Sequence, residues 1–179
     1  MCLVALALDK NRKFPLVIAA NRDEYFERPT ESLSWWTPES GEPAILGGRD
    51  LQSGGTWLGL TAQGRLGLIT NVRDARLTFD NAPSRGQIVP NWLSAHETVD
   101  KFWMRTSIAG YNGFNLIAAD FRLGECFWLT NSAAYPRRLE RGVYGLSNAA
   151  LDTPWPKVVS LKKRVLDCVE QASGVDELA

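Results

Sequence analysis

The sequence predicts an α+β protein. Short apolar runs occur in pairs around tight charged or glycine-bearing turns, as antiparallel hairpins do. Helical patterns stand between and after these pairs and do not alternate with single strands, which argues against a parallel sheet. At 179 residues the chain has the length of one domain, enough to bury roughly 70% of its unfolded surface.

The first pair is Cys2–Leu8 and Leu16–Asn21, joined by the charged turn at Asp9–Lys13. Both runs are almost continuously apolar, as expected of strands buried on both faces in a central hairpin. Arg28 to Gly48, with Pro29, Trp35, Trp36, Pro38, Gly41 and Pro43, reads as a long loop of the kind that often covers a site. Thr56–Thr61 and Arg65–Asn71 flank Ala62-Gln63-Gly64 as a second hairpin, and Phe114–Asp120 and Cys126–Asn131 flank Arg122-Leu123-Gly124 as a third. Val143–Ser147 adds a strand after the Arg141-Gly142 turn.

Three helical patterns accompany these strands. Ser84–Leu93 is short and carries Pro90, which must kink the helix or delay its start. Ser94-Ala-His-Glu97 has capping-box spacing ahead of Val99, Phe102, Trp103 and Thr106, with Gly110 as the stop. Thr153-Pro154 opens the strongest pattern, whose stripe is Val158, Leu161, Val165, Cys168 and Ala172.

Composition narrows the function. Twenty Lys and Arg balance twenty Asp and Glu, so no net field attracts nucleic acid or an anionic membrane. Three widely spaced cysteines, Cys2, Cys126 and Cys168, fit neither a disulfide framework nor a zinc site, which suits a reducing compartment. The apolar start lacks a basic n-region, and no run approaches the roughly 20 apolar residues of a membrane span. The expectation is a cytoplasmic protein that acts on or binds a small molecule, with no metal and no resident cofactor. Gly47-Gly48 and Ser53-Gly54-Gly55-Thr56 lack the GK[ST] of a phosphate loop and read as sharp turns, and the seven tryptophans read first as packing.

Chemistry concentrates near the start. Cys2 follows the initiator, so removal of Met1 would put a thiol and an α-amine on one residue, and the amine can act as the base that activates the thiol. A cysteine opening an apolar strand is, by itself, more often a small core residue than a catalyst. Asn21-Arg22-Asp23-Glu24 then ends the strand expected to pair with that of Cys2. Arg22 can favour the thiolate and hold a substrate carbonyl or carboxylate, and Asp23 can hold the protonated amine. A salt-bridged strand end explains the same residues. Asn71 and Asn131 end two further strands, where an amide can serve as an oxyanion donor or simply as a turn residue. The sole histidine, His96, lies inside the capping-box segment and suits no triad.

Several blocks together resemble the NRDE family, also called transport and Golgi organisation 2. They are Met1-Cys-Leu3, residues 20–29 (Ala-Asn-Arg-Asp-Glu-Tyr-Phe-Glu-Arg-Pro), Leu46-Gly-Gly-Arg-Asp50, Gly55-Thr-Trp-Leu-Gly59, Thr70-Asn-Val-Arg-Asp74, Ser84-Arg-Gly86, Gly145-Leu-Ser-Asn148 and Thr153-Pro-Trp-Pro-Lys157. The family is similar to cysteine-type N-terminal-nucleophile hydrolases, which cleave non-peptide amides. The resemblance implies an αββα sandwich of antiparallel sheets, one domain over residues 1–179, and C-terminal strands of the family missing from this chain. It assigns Cys2, Arg22, Asp23, Asn71 and Asn131 to catalysis and Asn21, Trp57 and Asn148 to substrate binding. The alternative it implies is a non-catalytic carrier of haem, lipid or acyl-CoA, which could ligate iron through Cys2 or His96 or bind through aromatic surface alone.

Overall fold

The computed structural model describes residues 2–38, 41, 43–73, 78–132 and 135–178; Met1 and Asp74 of the motifs above lie outside them. The strands are β1 (Cys2–Leu8), β2 (Leu16–Arg22), β3 (Thr30–Trp36), β4 (Ile45–Asp50), β5 (Leu58–Thr61), β6 (Arg65–Asn71), β7 (Phe114–Asp120), β8 (Glu125–Thr130), β9 (Arg137–Arg138) and β10 (Gly142–Leu146). The α-helices are α1 (Ile88–Ser94), α2 (Val99–Ser107) and α3 (Pro156–Gln171). The protein is α+β with two antiparallel sheets, as expected and consistent with a sandwich fold. Two compact units comprise Met1–Asp23 with Leu139–Ala179, and Glu24–Arg138.

The first unit holds a three-stranded sheet in the order β10-β1-β2 with α3 packed on β1 and β10. Ala5 and Ala7 of β1 meet Val165 and Val169 of α3, with Val17, Ala19, Val143 and Leu161 around them. Small residues on the strand let the helix approach. Gly145 belongs to this contact, because a Cβ there would lie 2.5 Å from Val158 Cγ1. The helix starts later than Thr153-Pro154 predicts. Thr153 Oγ1 donates to the Ala150 carbonyl at 2.7 Å and closes a turn, and Pro156, not Pro154, takes the first helical position, where its missing N–H costs nothing. Val169, not Cys168, continues the buried stripe. β2 is only half-buried along its length, not covered on both faces, because it is the edge of its sheet.

The second unit holds a seven-stranded sheet, β3 through β9 in sequence order. One face carries α1 and α2 over a core of Ile45, Ile69, Val89, Trp92, Leu93, Phe102, Phe114, Leu116 and Leu129. Trp92 sits at its centre, donating Nε1–H to the Leu66 carbonyl at 2.8 Å and meeting Phe102 edge-on at 5.3 Å. Pro90 is tolerated because α1 begins at Ile88, which leaves its ring in the first turn.

Two expectations are corrected in this unit. Most of the segment read as the long loop is the strand pair β3–β4, with Trp36 opposite Ile45. Exposure along almost all of β3 gives it no apolar alternation, and paired glycines disguise β4. Glycine is needed in β4 for close approach, since a Cβ on Gly48 would stand 2.7 Å from the Trp57 ring. Nor does Ser94–Glu97 cap a helix. Ser94 ends α1, and α2 begins after Thr98. The reason is Arg65, whose guanidinium donates to the carbonyls of Trp92, Ala95 and Glu97 and holds this segment extended.

Candidate functional site

In β1–β2 the register sets Cys2 directly opposite Arg22 and Leu3 opposite Asn21. Opposed residues of an antiparallel pair project from the same face, so the thiol and the guanidinium share one side of the sheet. It is the side away from α3, which packs on the alternate residues Ala5 and Ala7. β1 starts, and β2 and β10 end, at this same edge of the sheet. Cys2 and Arg22 are half-buried, and Asn21 and Asp23 are exposed. Asn21 Nδ2 donates to Asp23 Oδ1, which orients the carboxylate at the strand end.

Burial pushes the Cys2 thiol above the ordinary range. The Asp23 backbone N–H, directed at the sulfur, pulls it back, the Asp23 carboxylate adds to the rise and the Arg22 charge lowers it. Desolvation dominates, so the resting group is a thiol even though the Arg22 charge favours the thiolate.

β10 completes this corner. Beyond the paired residues Val4 and Leu146, the buried Ser147 donates its hydroxyl to the Cys2 carbonyl at 2.7 Å. Asn148, also buried, lies 3.5 Å from that hydroxyl through Oδ1. The turn that follows is fastened by Asp152. Its carboxylate accepts from Gly145 N–H at 2.8 Å and Lys162 Nζ at 2.5 Å, and its own N–H returns to the Gly145 carbonyl at 2.8 Å. Asp152 holds a φ of 59°, a strained value for a non-glycine residue. Ser147 was not singled out by the sequence pattern, although it stands within the Gly145–Asn148 block.

The remaining expected residues belong to the other unit. Asn71 is exposed and opposite Phe114, and Trp57 opposes Ile69, whose N–H donates to its carbonyl at 2.8 Å. Asn131 accepts the Phe114 N–H at 2.9 Å through Oδ1 and donates through Nδ2 to Tyr111 O at 3.0 Å and Asn112 O at 3.5 Å, which ties the end of β8 to the start of β7. Trp57, Asn71 and Asn131 thus gather at one end of the seven-stranded sheet. Beside them runs a buried polar row that the sequence reading left out. Asn115 donates to Thr70 Oγ1 at 3.2 Å and accepts from Trp128 Nε1 at 3.1 Å, and Thr130 Oγ1 donates to Phe114 O at 2.9 Å. The signal was present in the sequence as a polar residue inside each of three apolar strands.

Haem fits these residues poorly. Burial holds Cys2 as a thiol when axial ligation needs the thiolate, and His96 is exposed and, among the described residues, has no hydrogen bond to orient its ring. Among the described residues, no group of three or more His, Cys, Asp or Glu could hold a metal ion, and no helix is long and apolar enough to cross a membrane.

Fold and site together define an α+β protein of two antiparallel sheets, with a cysteine on the first strand facing an arginine on the second. The chain belongs to the family described as Transport and Golgi organisation 2, whose profile matches residues 1–179. It is 35% identical to the Transport and Golgi organization 2 homolog of Mus musculus, covering 98% of this chain and 67% of that protein. It is 34% identical to the homolog of Homo sapiens over the same shares, and 25% identical to Transport and Golgi organization protein 2 of Drosophila melanogaster over 74% of this chain and 58% of that one. The chain spans about two thirds of the length of the mammalian relatives it matches.

Proposed function

We propose that the protein is a hydrolase of the N-terminal-nucleophile type, cleaving the C–N bond of a small non-peptide amide, or a thioester, with Cys2 as nucleophile. The observation that carries this reading is the Cys2–Arg22 register at the end of the three-stranded sheet, with the Asp23 N–H directed at a half-buried sulfur. A thiol kept protonated by burial needs a base at hand, and removal of Met1 would supply one as the Cys2 α-amine.

In the processed chain the amine takes the thiol proton as sulfur bonds to the substrate carbonyl carbon. The C–N bond then breaks, and the leaving amine takes that proton from the ammonium, which leaves a thioester. Water attacks next, giving one proton to the α-amine. The C–S bond breaks, the acid leaves, and the proton returns to sulfur. Arg22 orients the substrate carbonyl or carboxylate, and Asp23, steadied by Asn21, holds the ammonium. Asn148 is the further substrate contact in this reading, and Trp57, which the resemblance also assigns to substrate, belongs to the other unit. The oxyanion donors assigned by resemblance, Asn71 and Asn131, belong to the other unit, and no step here depends on them.

The test is intact mass and peptide mapping of the purified protein, followed by acyl p-nitroanilide and thioester substrates. The expected result is loss of Met1, acylation confined to Cys2, and no turnover in Cys2→Ala. An intact Met1 on active, folded protein would overturn the reading.

A further inference from the structure

A cleft of about 240 Å³ opens in the second unit where α1 ends, lined by Pro43, Thr61, Gln63, Arg65, Leu93, Ser94, Ala95, His96 and Arg122. It involves neither Cys2 nor any residue assigned to the hydrolase reading. At ~30 Å³ per water it has room for roughly eight waters, which is below the 300–1,000 Å³ of sites for drug-sized ligands. Whatever it holds is small.

Its wall is built by a buried cation. Arg65 directs Nε at Asp120 Oδ2 (3.1 Å), Nη1 at Trp92 O (3.1 Å) and Ala95 O, and Nη2 at Glu97 O (2.9 Å), with its guanidinium 4.3 Å from the Trp92 ring centroid. Four of the five guanidinium N–H donors of Arg65 are used within the protein, so its main part is to shape the cleft. Asp120 is shared. Arg122 reaches the same carboxylate through Nε (3.0 Å) and Nη2 (2.7 Å), so two guanidinium groups stand against one carboxylate. The cleft therefore faces a net single positive charge.

Among the described residues, four polar groups around it make no hydrogen bond: Ser94 Oγ, which is buried, and the solvent-exposed Arg122 Nη1, His96 ring and Gln63 amide. Unpaired donors that converge on one concavity are what a ligand satisfies, and a buried unpaired hydroxyl costs about 1–3 kcal/mol until it is met. Leu93 and Pro43 supply an apolar flank. A single surplus charge, one free edge of a guanidinium and an apolar wall select a monoanion with a short hydrocarbon body over a doubly charged phosphate.

We infer that this cleft is a binding site for a small monocarboxylate, whose carboxylate is held by Arg122 Nη1 and His96 and whose body lies on Leu93 and Pro43. His96 is the sole histidine, so its imidazole signals in a ¹H–¹³C spectrum report on the cleft alone. The full chain is titrated with sodium butyrate, inorganic phosphate and 1-butanol at matched ionic strength. Butyrate should shift the His96 signals saturably, with an affinity at least about tenfold weaker in Arg122→Ala, weakened in Gln63→Leu, and unchanged in Cys2→Ala. No saturable shift with butyrate would overturn the site, as would equal binding in both cleft variants. Saturable binding of phosphate in place of butyrate, or equal binding of 1-butanol, would overturn the carboxylate assignment. Loss of binding in Cys2→Ala would overturn the independence of this cleft from the hydrolase reading.

Discussion

At the residue scale, what distinguishes Cys2 from an ordinary strand cysteine is its environment. Its sulfur is half-buried, receives the Asp23 N–H and faces Arg22, and its carbonyl is pinned by Ser147. Because burial is the largest influence on the thiol, alkylation by iodoacetamide should be slow at neutral pH and rise through a midpoint above that of a free thiol. Arg22→Ala removes a cation that favours the thiolate and should move that midpoint higher still. An unchanged midpoint, read from the pH dependence of the labelling rate, would show that the guanidinium does not act on the sulfur. Ser147→Ala should cost about 1 kcal/mol of stability through the lost hydrogen bond. It should alter labelling at Cys2 and leave Cys168 unaffected, as quantified by peptide mapping.

At the element scale, a strand was legible wherever its own residues carried the burial pattern. β1, β6 and β7 match their apolar runs to the residue, since each is buried along most of its length. β3 was not legible, because nearly all of it faces solvent and only its pairing with β4 makes it a strand. The start of α2 failed for a reason outside the local sequence. Arg65, some thirty residues away, takes the carbonyls that a helix beginning at Ser94 would have used. The same logic applied to the site. Cys2, Arg22 and Asp23 could be grouped because a hairpin joins them, whereas Ser147 reaches Cys2 only through the β1–β10 pairing.

Arg65 also yields a prediction for its elements. Arg65→Met keeps most of the side-chain volume over Trp92 but strands three carbonyls and removes one of the two partners of the buried Asp120. A loss of about 3 kcal/mol is expected, at the lower end for a broken buried pair because Arg122 remains. The check is the urea midpoint at unchanged m-value. Gly55→Ala tests the loop packed on residues 84–87. An added Cβ would lie 2.0 Å from Gly86 O, where backbone on both sides must move, and a cost of about 2–3 kcal/mol should show in the same measurement.

At the scale of the whole molecule, equal numbers of acidic and basic residues leave no net field, so the pH range of stability is set by a few buried groups. On the acid side, Arg122 first and then Arg65 hold the Asp120 carboxyl below the usual carboxylate range. Its contribution is complete above ~3.9, the value in an unfolded chain, and is lost as pH falls through the lower folded value. On the alkaline side, burial pushes the Cys126 thiol up to about 12. The folded state then keeps a proton that the unfolded chain releases above ~8.5, so the contribution is complete below that pH and falls at about 1.4 kcal/mol per pH unit as pH rises towards the folded value. Cys2 is shifted in the same direction by the same cause and adds to the alkaline loss. Stability should therefore be level between roughly pH 4 and pH 8.5 and fall on both sides. Cys126→Ala isolates one arm. It lowers stability at pH 7 by leaving a small cavity, but it removes the group that titrates, so the gap between wild type and variant should narrow by about 2 kcal/mol between pH 8.5 and pH 10. Urea midpoints across that range decide the matter, and a gap independent of pH would mean that Cys126 ionises as readily in the fold as in the unfolded chain.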